Sequence, residues 1–452
     1  MNINDILELE IIAYDHEGIG IAKYNDFPIF IKGTLIGEKV KCQITYKNTR
    51  IAEAKLLKVI EKSPNRETNM CKYAGICGGC NIFHMSYPEQ LKFKKQMVID
   101  TLRKIGGLEG EVADVRPNPN KLHYRNKILV PLAKIDGKIE SGFFESKSHK
   151  LVPQDECLIE PVLAKDIIRF VKTKLEEYNI SIYDETLHVG QARNIMLRCN
   201  KDNEFMLVLV STKNSKLLKQ LVIETANAFE QIKSAYINVN TNKTNVILNP
   251  TGYIHVYGSE VIIEDINGLK FEVHPNSFLQ VNHDQTEALY NKALEYVKDN
   301  KEQVIIDAYC GIGSITLNLA LKAKEVYGIE VVKQAVDNAN INKKLNNLNN
   351  AFFICGKCED EISKLTKLKN VDTIVFDPPR KGCDQRFLDT VISMNIKNIV
   401  YISCQVSTLA RDLKYLSEHG YNVGTVYPFD MFSHTSHVEV VTLLELKTDK
   451  NK

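Results

Sequence analysis

The sequence predicts a multidomain α/β protein with a small N-terminal β-barrel, an α+β middle domain and a C-terminal doubly wound parallel sheet. Three observations predict this class. Short strand patterns punctuated by glycine fill the first 60 residues, and strands with alternating apolar and polar residues follow. After about residue 285, short apolar strands alternate with helix patterns. A chain of 452 residues accommodates about three domains of ~150 residues, which we place at 1–60, 61–270 and 271–452.

The first part has five predicted strands separated by turns. They cover Ile6–Ile12, Gly18–Lys23, Phe27–Ile31, Lys39–Thr45 and Ile51–Val59. This pattern is typical of a small antiparallel barrel. Eight Lys and Arg offset eight Asp and Glu in residues 1–60, so charge does not separate a nucleic-acid-binding barrel from a purely structural one.

The segment 61–130 is basic, although the whole chain has a net charge of only +2 and is no polycation. It contains twelve Lys and Arg against seven Asp and Glu, a surplus of five. A helix is predicted from Pro88 to Ile105, and the string His123-Tyr124-Arg125-Asn126-Lys127 follows it. Basic residues beside aromatic ones suit RNA, and a solvated surface would have the same composition.

Three of the eleven cysteines lie within ten residues, as Cys71, Cys77 and Cys80 in the spacing C-x5-C-x2-C. Three such thiolates can hold a metal ion or cluster if a fourth ligand joins them, and Cys157 is the nearest candidate. Zinc usually prefers paired C-x2-C arms, whereas three cysteines plus one distant cysteine fit a [4Fe–4S] cluster better. We favour iron–sulfur, and the spacing leaves zinc open.

Cysteine usage and hydropathy together predict a cytoplasmic protein. Eleven cysteines without a visible export signal are typical of a reducing compartment. No run of residues approaches the ~18–20 apolar positions that a membrane span requires. In the middle domain we predict a helix from Pro161 to Tyr178 and strands at Ile195–Arg198 and Phe205–Val210.

The last part has the strand–helix alternation of a parallel sheet, whose ligands bind at the carboxyl ends of the strands. Helices are predicted to begin near Ser314 and Lys333. The predicted strands are Val304–Ala308, Glu325–Ile329, Ala351–Ile354, Asp372–Phe376, Asn398–Ile402, Tyr421–Tyr427 and Val440–Glu445.

A glycine motif follows the first of these strands, from Asp307 to Ser314, and includes Gly311 and Gly313. Glycine there lets a ligand approach the backbone at a helix N-terminus, although ordinary loop packing would also explain it. Glu330 ends the next strand, where a carboxylate can accept hydrogen bonds from ribose hydroxyls. Position 316 is threonine instead of the third glycine of an NAD motif, so S-adenosylmethionine fits better than NAD.

Three more candidate catalytic or binding residues stand next to predicted strands. Asp377 begins Asp-Pro-Pro-Arg, whose prolines fix a rigid loop. Cys404 precedes a predicted helix, so we expect a lowered pKa and a nucleophilic thiolate, although many lone cysteines are inert core residues. Glu439 precedes the last strand and is a candidate general base if its turn folds over the same crevice. Two further features, the pair Cys355/Cys358 and the isolated histidines His84 and His123, we interpret as structural.

The constellation resembles the RNA (uracil-5-)-methyltransferases, specifically their iron–sulfur 23S ribosomal RNA branch with an N-terminal TRAM barrel. The resemblance spans nearly the whole chain. It rests on the cysteine spacing, His-Pro-Asn-Ser-Phe-Leu-Gln-Val-Asn at 274–282, Asp-Pro-Pro-Arg at 377–380, Ser-Cys at 403–404 with Thr-Leu-Ala-Arg-Asp at 408–412, and H-x-x-H-x-E at 434–439. One departure is Gln405-Val406, where the family commonly has Asn-Pro.

The resemblance implies a role for each candidate residue. Cys404 matches the nucleophile and Glu439 the base. The positions matching S-adenosylmethionine contacts are Gln280, Tyr309, Glu330 and Asp377, with Asp377 also near the target base, and the motif glycines Gly311 and Gly313 are cofactor-binding candidates beside them. The positions matching the ligands of a [4Fe–4S] cluster are Cys71, Cys77, Cys80 and Cys157. It implies a Rossmann-like methyltransferase domain and a monomer acting on RNA, with neither DNA nor membrane as partner.

Three other functions stay open on the sequence alone. The first is the same methylation on transfer RNA, which related proteins perform with the same motifs. A radical or redox iron–sulfur enzyme would have C-x3-C-x2-C, and the spacing here is x5. A non-catalytic iron–sulfur RNA-binding protein is the third, and the presence of both Cys404 and Glu439 disfavours it.

Overall fold

The computed structural model describes residues 1–68, 71–297 and 300–447; the last five residues of the predicted C-terminal domain lie outside this part. Its N-terminal strands form one six-stranded sheet in the order β1-β5-β6-β4-β3-β2 around a core that includes Ile29, Ile31 and Val40. The five predicted strands are confirmed, and a short strand, β2, is added to them. The strands are β1 Ile6–Glu10, β2 Ala13–Tyr14, β3 Gly20–Tyr24, β4 Phe27–Ile31, β5 Lys39–Lys47 and β6 Ala52–Glu61.

The predicted helix in the basic segment is confirmed as α1, Tyr87–Thr101, which continues as one π-helical turn, Leu102–Gly106. Pro88 lies in the first turn of α1, where a backbone N–H would have no hydrogen-bond partner within the helix, so proline costs no hydrogen bond there. The helix packs on the C-terminal part of the chain, because Val98 and Leu102 share a core cluster with Leu409 and Leu413.

The middle of the chain forms a seven-stranded sheet in the order β13-β12-β11-β10-β7-β8-β9, covered by two helices. Its strands are β7 Lys127–Ile135, β8 Lys138–Phe144, β9 Leu151–Pro153, β10 Ala192–Cys199, β11 Phe205–Ser211, β12 Ile232–Val239 and β13 Tyr253–Gly258. The helices are α2 Ala164–Glu177 and α3 Lys216–Ala228. Every residue of β10 and β11 is buried, so the alternation of buried and exposed positions expected for these strands is wrong: β11 is almost entirely apolar, and the polar residues of β10, such as Arg193 and Arg198, are buried as well.

A two-stranded hairpin, β14 Ile262–Ile266 and β15 Leu269–Val273, follows the middle sheet. Phe271 and Val273 lie in the same core cluster as Ile305 and Val326 of the C-terminal sheet. The boundary predicted at 270/271 falls within β15. On this packing we propose that the C-terminal domain begins before Ile262.

The C-terminal sheet has the order β18-β17-β16-β19-β20-β23-β21, with β22 paired to β23. Its strands are β16 Asn300–Ala308, β17 Ala323–Glu330, β18 Ala351–Cys355, β19 Thr373–Phe376, β20 Asn398–Ser403, β21 Tyr421–Val423, β22 Tyr427–Phe429 and β23 Glu439–Leu446. The helices are α4 His283–Glu295, α5 Ser314–Ala320, α6 Lys333–Leu345, α7 Cys358–Leu368, α8 Gln385–Ser393 and α9 Val406–Glu418.

Two details differ from the prediction for this sheet. Its first five strands are parallel, but β23 runs antiparallel to β20. The single strand predicted at 421–427 is wrong, because Val426 leaves the path of β21 to bridge with Val112. In the described part of the chain, no helix has both the length and the apolar character needed to span a bilayer.

Candidate active site

The predicted site residues meet at one edge of the C-terminal sheet. Strand register places them there: Ala308 pairs with Ile329 and Phe376, and Phe376 pairs with Tyr401. The strand order reverses between β16 and β19, which opens a crevice at the carboxyl ends of these strands. Because β23 is antiparallel to β20, its first residue reaches the same edge. The residues at this edge are Tyr309, Glu330, Asp377, Cys404 and Glu439.

Cys404 follows the end of β20 and stands two residues before α9. The expected lowered pKa is wrong: burial, together with the carboxyls of Glu439 and Asp377, raises the pKa of the Cys404 thiol to about 11. The guanidinium of Arg380 acts in the opposite direction. Desolvation and the two carboxyls therefore favour the neutral form of the Cys404 thiol.

Glu439 is the first residue of β23 and is 1% exposed. Its Oε2 atom is buried and has no hydrogen-bond partner among the described residues. Burial and the nearby Asp377 carboxyl raise the pKa of Glu439 well above its usual value, against the lowering effect of Arg380. A carboxylate with a raised pKa is a stronger proton acceptor, as a general base requires.

Asp377 is oriented by Gln280, a buried residue of the loop between β15 and α4. Burial raises the pKa of Asp377, and the hydrogen bond from the Gln280 side chain partly offsets this. Residues of the middle domain help to hold the loop: Asn126 Nδ2 donates to the Gln280 carbonyl at 3.1 Å, and Arg198 Nη2 donates to the Ser277 carbonyl at 2.7 Å. The middle domain thus helps to position a residue of the crevice.

Glu330 fixes the loop after β16. Its carboxylate oxygens accept the backbone N–H of Gly311 at 3.2 Å and that of Val332 at 2.8 Å. Tyr309 has φ of 64° and Gly311 has φ of 55°, so the chain turns sharply here. A Cβ atom at Gly311 would meet nothing within 4 Å, whereas one at Gly313 would lie 2.7 Å from the Phe353 ring. Gly311 therefore faces open space, and Gly313 is required for packing.

Asp307 and Arg380 also belong to the site, but neither is among the candidates predicted from the sequence. Asp307 begins the glycine motif, and Arg380 ends the Asp-Pro-Pro-Arg motif. Thr316 Oγ1 donates to Asp307 at 2.5 Å, which explains the threonine at this position. Burial raises the pKa of Asp307 to about 7. Helix α9 holds the Arg380 loop, since Thr408 Oγ1 donates to the Arg380 carbonyl at 3.2 Å and Asp412 accepts the Cys383 N–H at 2.9 Å.

The four predicted cluster cysteines line one cavity of about 260 Å³, away from the sheet edge. Burial and the neighbouring Cys77 and Cys71 raise the pKa of Cys80 to about 12, and burial, Glu160, Cys80 and Cys77 raise that of Cys157. No group of three or more His, Cys, Asp or Glu side chains in residues 1–68, 71–297 and 300–447 converges closely enough to hold a metal ion.

Two of the features interpreted as structural lie beside the sites: the Cys358 thiol contacts the Tyr309 backbone, and His123 Nδ1 is 2.7 Å from the carbonyl of Glu160, which lines the cysteine cavity. Cys355 is exposed and Cys358 is buried at the start of α7. His84 is buried beneath the barrel, with Nε2 3.3 Å from the Thr34 carbonyl, and burial lowers its pKa to about 4.

We expect Arg380→Gln to slow alkylation of Cys404. Without the guanidinium, the pKa of Cys404 rises further above about 11, so less thiolate forms at any lower pH. The rate of iodoacetamide labelling at pH 8, followed on the Cys404 peptide by mass spectrometry, should fall about fivefold, corresponding to ~1 kcal/mol of lost charge attraction. The neighbouring Lys381→Gln variant is the control. A labelling rate equal to that of the wild type would contradict the assigned role of Arg380.

Comparisons with known proteins agree with this geometry. The sequence model of the family described as tRNA (Uracil-5-)-methyltransferase matches residues 86–447, and that of the TRAM domain matches residues 3–57. A Clostridium tetani protein named an uncharacterized RNA methyltransferase is 42% identical over 99% of this chain and 98% of its own length. A Listeria innocua protein of similar name is 40% identical over 98% of each chain.

Among solved structures, that of Pyrococcus abyssi tRNA (uracil-54, C5)-methyltransferase in complex with S-adenosyl-L-homocysteine resembles this fold. It has a TM-score of 0.80 and 28% sequence identity, and the match covers 97% of this chain and 99% of that chain. The similarity therefore includes the barrel, the middle sheet and the C-terminal sheet.

Proposed function

The chain belongs to the tRNA (uracil-5-)-methyltransferase family, as an RNA-modifying enzyme that uses S-adenosylmethionine, and on this premise we propose that it methylates carbon 5 of specific uridines in 23S ribosomal RNA. The observation that carries the reaction is that Cys404, Asp377 and the buried Glu439 meet at one edge of the C-terminal sheet. The TRAM domain at residues 3–57 is consistent with an RNA substrate. The ribosomal RNA branch, the cytoplasmic location and the monomeric state stay predictions.

The chemistry needs one soft nucleophile and one separate base. Carbon 5 of uracil is a poor nucleophile until the Cys404 thiolate adds to carbon 6 and creates an enolate. S-adenosylmethionine supplies an electrophilic methyl group on a positively charged sulfur. Glu439 then removes the proton from carbon 5, and elimination releases Cys404. The uridine must leave its stack for the thiolate to reach the ring face.

The remaining residues of the crevice bind and orient the reactants. The carboxylate of Glu330, fixed by two backbone N–H groups, would accept hydrogen bonds from ribose hydroxyls, and the open face of Gly311 leaves room for the ligand. Asp377, held by Gln280, stands between the cofactor side and the thiol. A bound sulfonium there would partly neutralise Asp377 and Glu439, which favours the thiolate of Cys404.

We also propose that Cys71, Cys77, Cys80 and Cys157 hold a [4Fe–4S] cluster. The support is that all four thiols line one cavity, that Cys77 and Cys71 help to raise the pKa of Cys80, and that Cys80 and Cys77 help to raise that of Cys157. The spacing also favours a cluster over zinc, because zinc usually has paired C-x2-C arms and these are three clustered cysteines with one distant cysteine. A cluster spreads the four ligands over several irons. Methyl transfer needs no electron, so its role would be structural or RNA-positioning.

We expect anaerobically purified protein to be brown and to contain about four irons per chain. Replacing Cys80 by serine should remove most of the iron and the visible absorption, because it removes one of the four proposed thiolate ligands. The exposed Cys355→Ser variant should keep both. Stoichiometric zinc or metal-free wild-type protein would contradict the cluster.

The second candidate substrate is transfer RNA. It is favoured by the Pyrococcus abyssi protein, which is named for uracil 54 of tRNA and matches nearly the whole chain. Family membership favours both candidates over a non-catalytic RNA-binding protein and over a radical enzyme.

Mapping 5-methyluridine in a strain that lacks this protein separates the two substrates. Nucleoside analysis of purified 23S ribosomal RNA and of bulk transfer RNA should show loss from the ribosomal RNA only. The wild-type chain should restore it, and the Cys404→Ala variant should not. Loss from transfer RNA alone would favour the second candidate, and no loss from either RNA would contradict the proposed function.

A further inference from the structure

The loop that leads into Glu439 is held almost entirely by partners from a distant part of the chain. This loop, residues 430–438, connects the paired strands β22 and β23, in which Phe429 lies opposite Glu439. The loop ends immediately before Glu439, so its conformation, together with the pairing of β23 with β20 and β22, sets where the Glu439 carboxyl lies relative to Cys404. The contacts that hold it come from residues 81–124 and from Asn282, which donates through Nδ2 to the Met431 carbonyl at 3.2 Å.

The strongest of these contacts is a buried ion pair. Lys94 on α1 and Asp430 at the start of the loop are 0% and 1% exposed, and the Lys94 ammonium donates to Asp430 Oδ1. The same ammonium donates to the Phe432 carbonyl at 3.0 Å. Tyr87 and Ser433 donate hydroxyl groups to Asp430 Oδ2 at 2.7 and 2.6 Å. A buried charge pair with all these partners is costly to break and specifies one loop geometry.

The middle of the loop is fixed by hydrogen bonds and ring stacking with residues 81–90. The backbone N–H of His434 donates to Gln90 Oε1 at 3.0 Å, and its ring stacks on Phe83 with centroids 4.0 Å apart. His434 has φ of 68°, a conformation that non-glycine residues keep only when their surroundings impose it. Asn81 forms two hydrogen bonds with Ser436, at 2.9 and 3.0 Å.

From these contacts we propose that Lys94 and Asp430 are a positioning pair, which through the loop 430–438 holds the Glu439 carboxyl in place to remove the proton from carbon 5. The inference rests on the proposed function for the role of Glu439. Neither residue of the pair touches the reacting atoms. Their effect belongs to the elimination step, which uses Glu439, and not to binding of S-adenosylmethionine at the other end of the crevice.

The test compares elimination with methyl transfer in two variants. Lys94→Met leaves Asp430 buried without its cation, so the double variant Lys94→Met/Asp430→Asn, which buries no charge, is made alongside it. Lys95→Met is the matched control, since the adjacent Lys95 forms an exposed ion pair with Asp114. Multiple-turnover methylation by the double variant should fall about 30- to 100-fold, as expected for a misplaced catalytic group. Single-turnover methyl transfer should stay within about threefold of the wild type, and a covalent RNA adduct should accumulate.

Hydrogen exchange supplies a readout that does not depend on the reaction. Amides of residues 433–439 should exchange about tenfold faster in the double variant than in the wild type or in Lys95→Met. A wild-type enzyme that forms no 5-methyluridine would contradict the proposed function, while the exchange rates would still decide whether the pair holds the loop. Unchanged exchange, or equal losses in methyl transfer and turnover, would overturn the positioning role.

Discussion

Cys404→Ala is expected to abolish methylation of RNA, with the rate of 5-methyluridine formation falling by at least about 10⁴-fold. Without the thiolate, nothing adds to carbon 6 of uracil, and carbon 5 stays too weak a nucleophile to accept the methyl group. The measurement is transfer of a labelled methyl group from S-adenosylmethionine to undermodified RNA. Binding of S-adenosylmethionine should stay within about threefold of the wild type, because the loss is confined to the chemical step.

The control for this variant is Cys42→Ala, which removes another buried thiol. Cys42 lies on β5 and packs in the core of the N-terminal sheet. Its loss should cost on the order of 1 kcal/mol of unfolding free energy and leave methylation nearly unchanged. Retained activity in Cys404→Ala would refute the covalent mechanism, whatever the stability of either variant.

Glu439→Gln is expected to separate methyl transfer from product release. Addition of Cys404 and transfer of the methyl group should proceed once, but the proton on carbon 5 then has no acceptor, so the enzyme stays bonded to RNA. Turnover should fall about 10³-fold. Denaturing gel electrophoresis should show one RNA adduct per enzyme. Free turnover by this variant would show that another group is the base.

The matched control is Glu445→Gln, an exposed position on the same strand. It should leave both turnover and adduct level unchanged. Glu439→Gln should not lower the melting temperature, because the native carboxyl is buried with an unpartnered Oε2 atom. A normal or raised melting temperature with trapped RNA would tie the defect to chemistry and not to folding.

Strand ends could be predicted well from the sequence, because each motif follows a short apolar run. Asp377 and Cys404 come directly after β19 and β20, and parallel strands bring such positions together at one edge. The position of Glu439 could not be predicted from its local sequence, since only the antiparallel direction of β23 brings the first residue of that strand to this edge. A local pattern does not specify that direction.

The electrostatics of the site could not be predicted in this way. The sequence shows Cys404 before a helix, which predicts a lowered pKa, but the sign is set by burial and by two carboxyls from other strands. Likewise, the sequence shows Lys94 only as one of several lysines in a predicted helix, and its partner Asp430 lies 336 residues away. Interactions of this range depend on how the domains pack and leave no periodic signal in the chain.

The central claim is that Cys404 becomes covalently bonded to the target uridine during methylation. The most direct measurement mixes wild-type enzyme, S-adenosylmethionine and RNA that contains 5-fluorouridine at the target position. Fluorine on carbon 5 prevents the elimination, so a methylated adduct should accumulate. Mass spectrometry of its peptides should locate the RNA on Cys404. Absence of an adduct on RNA that the enzyme methylates in its unfluorinated form, or an adduct on any other residue, would contradict the mechanism.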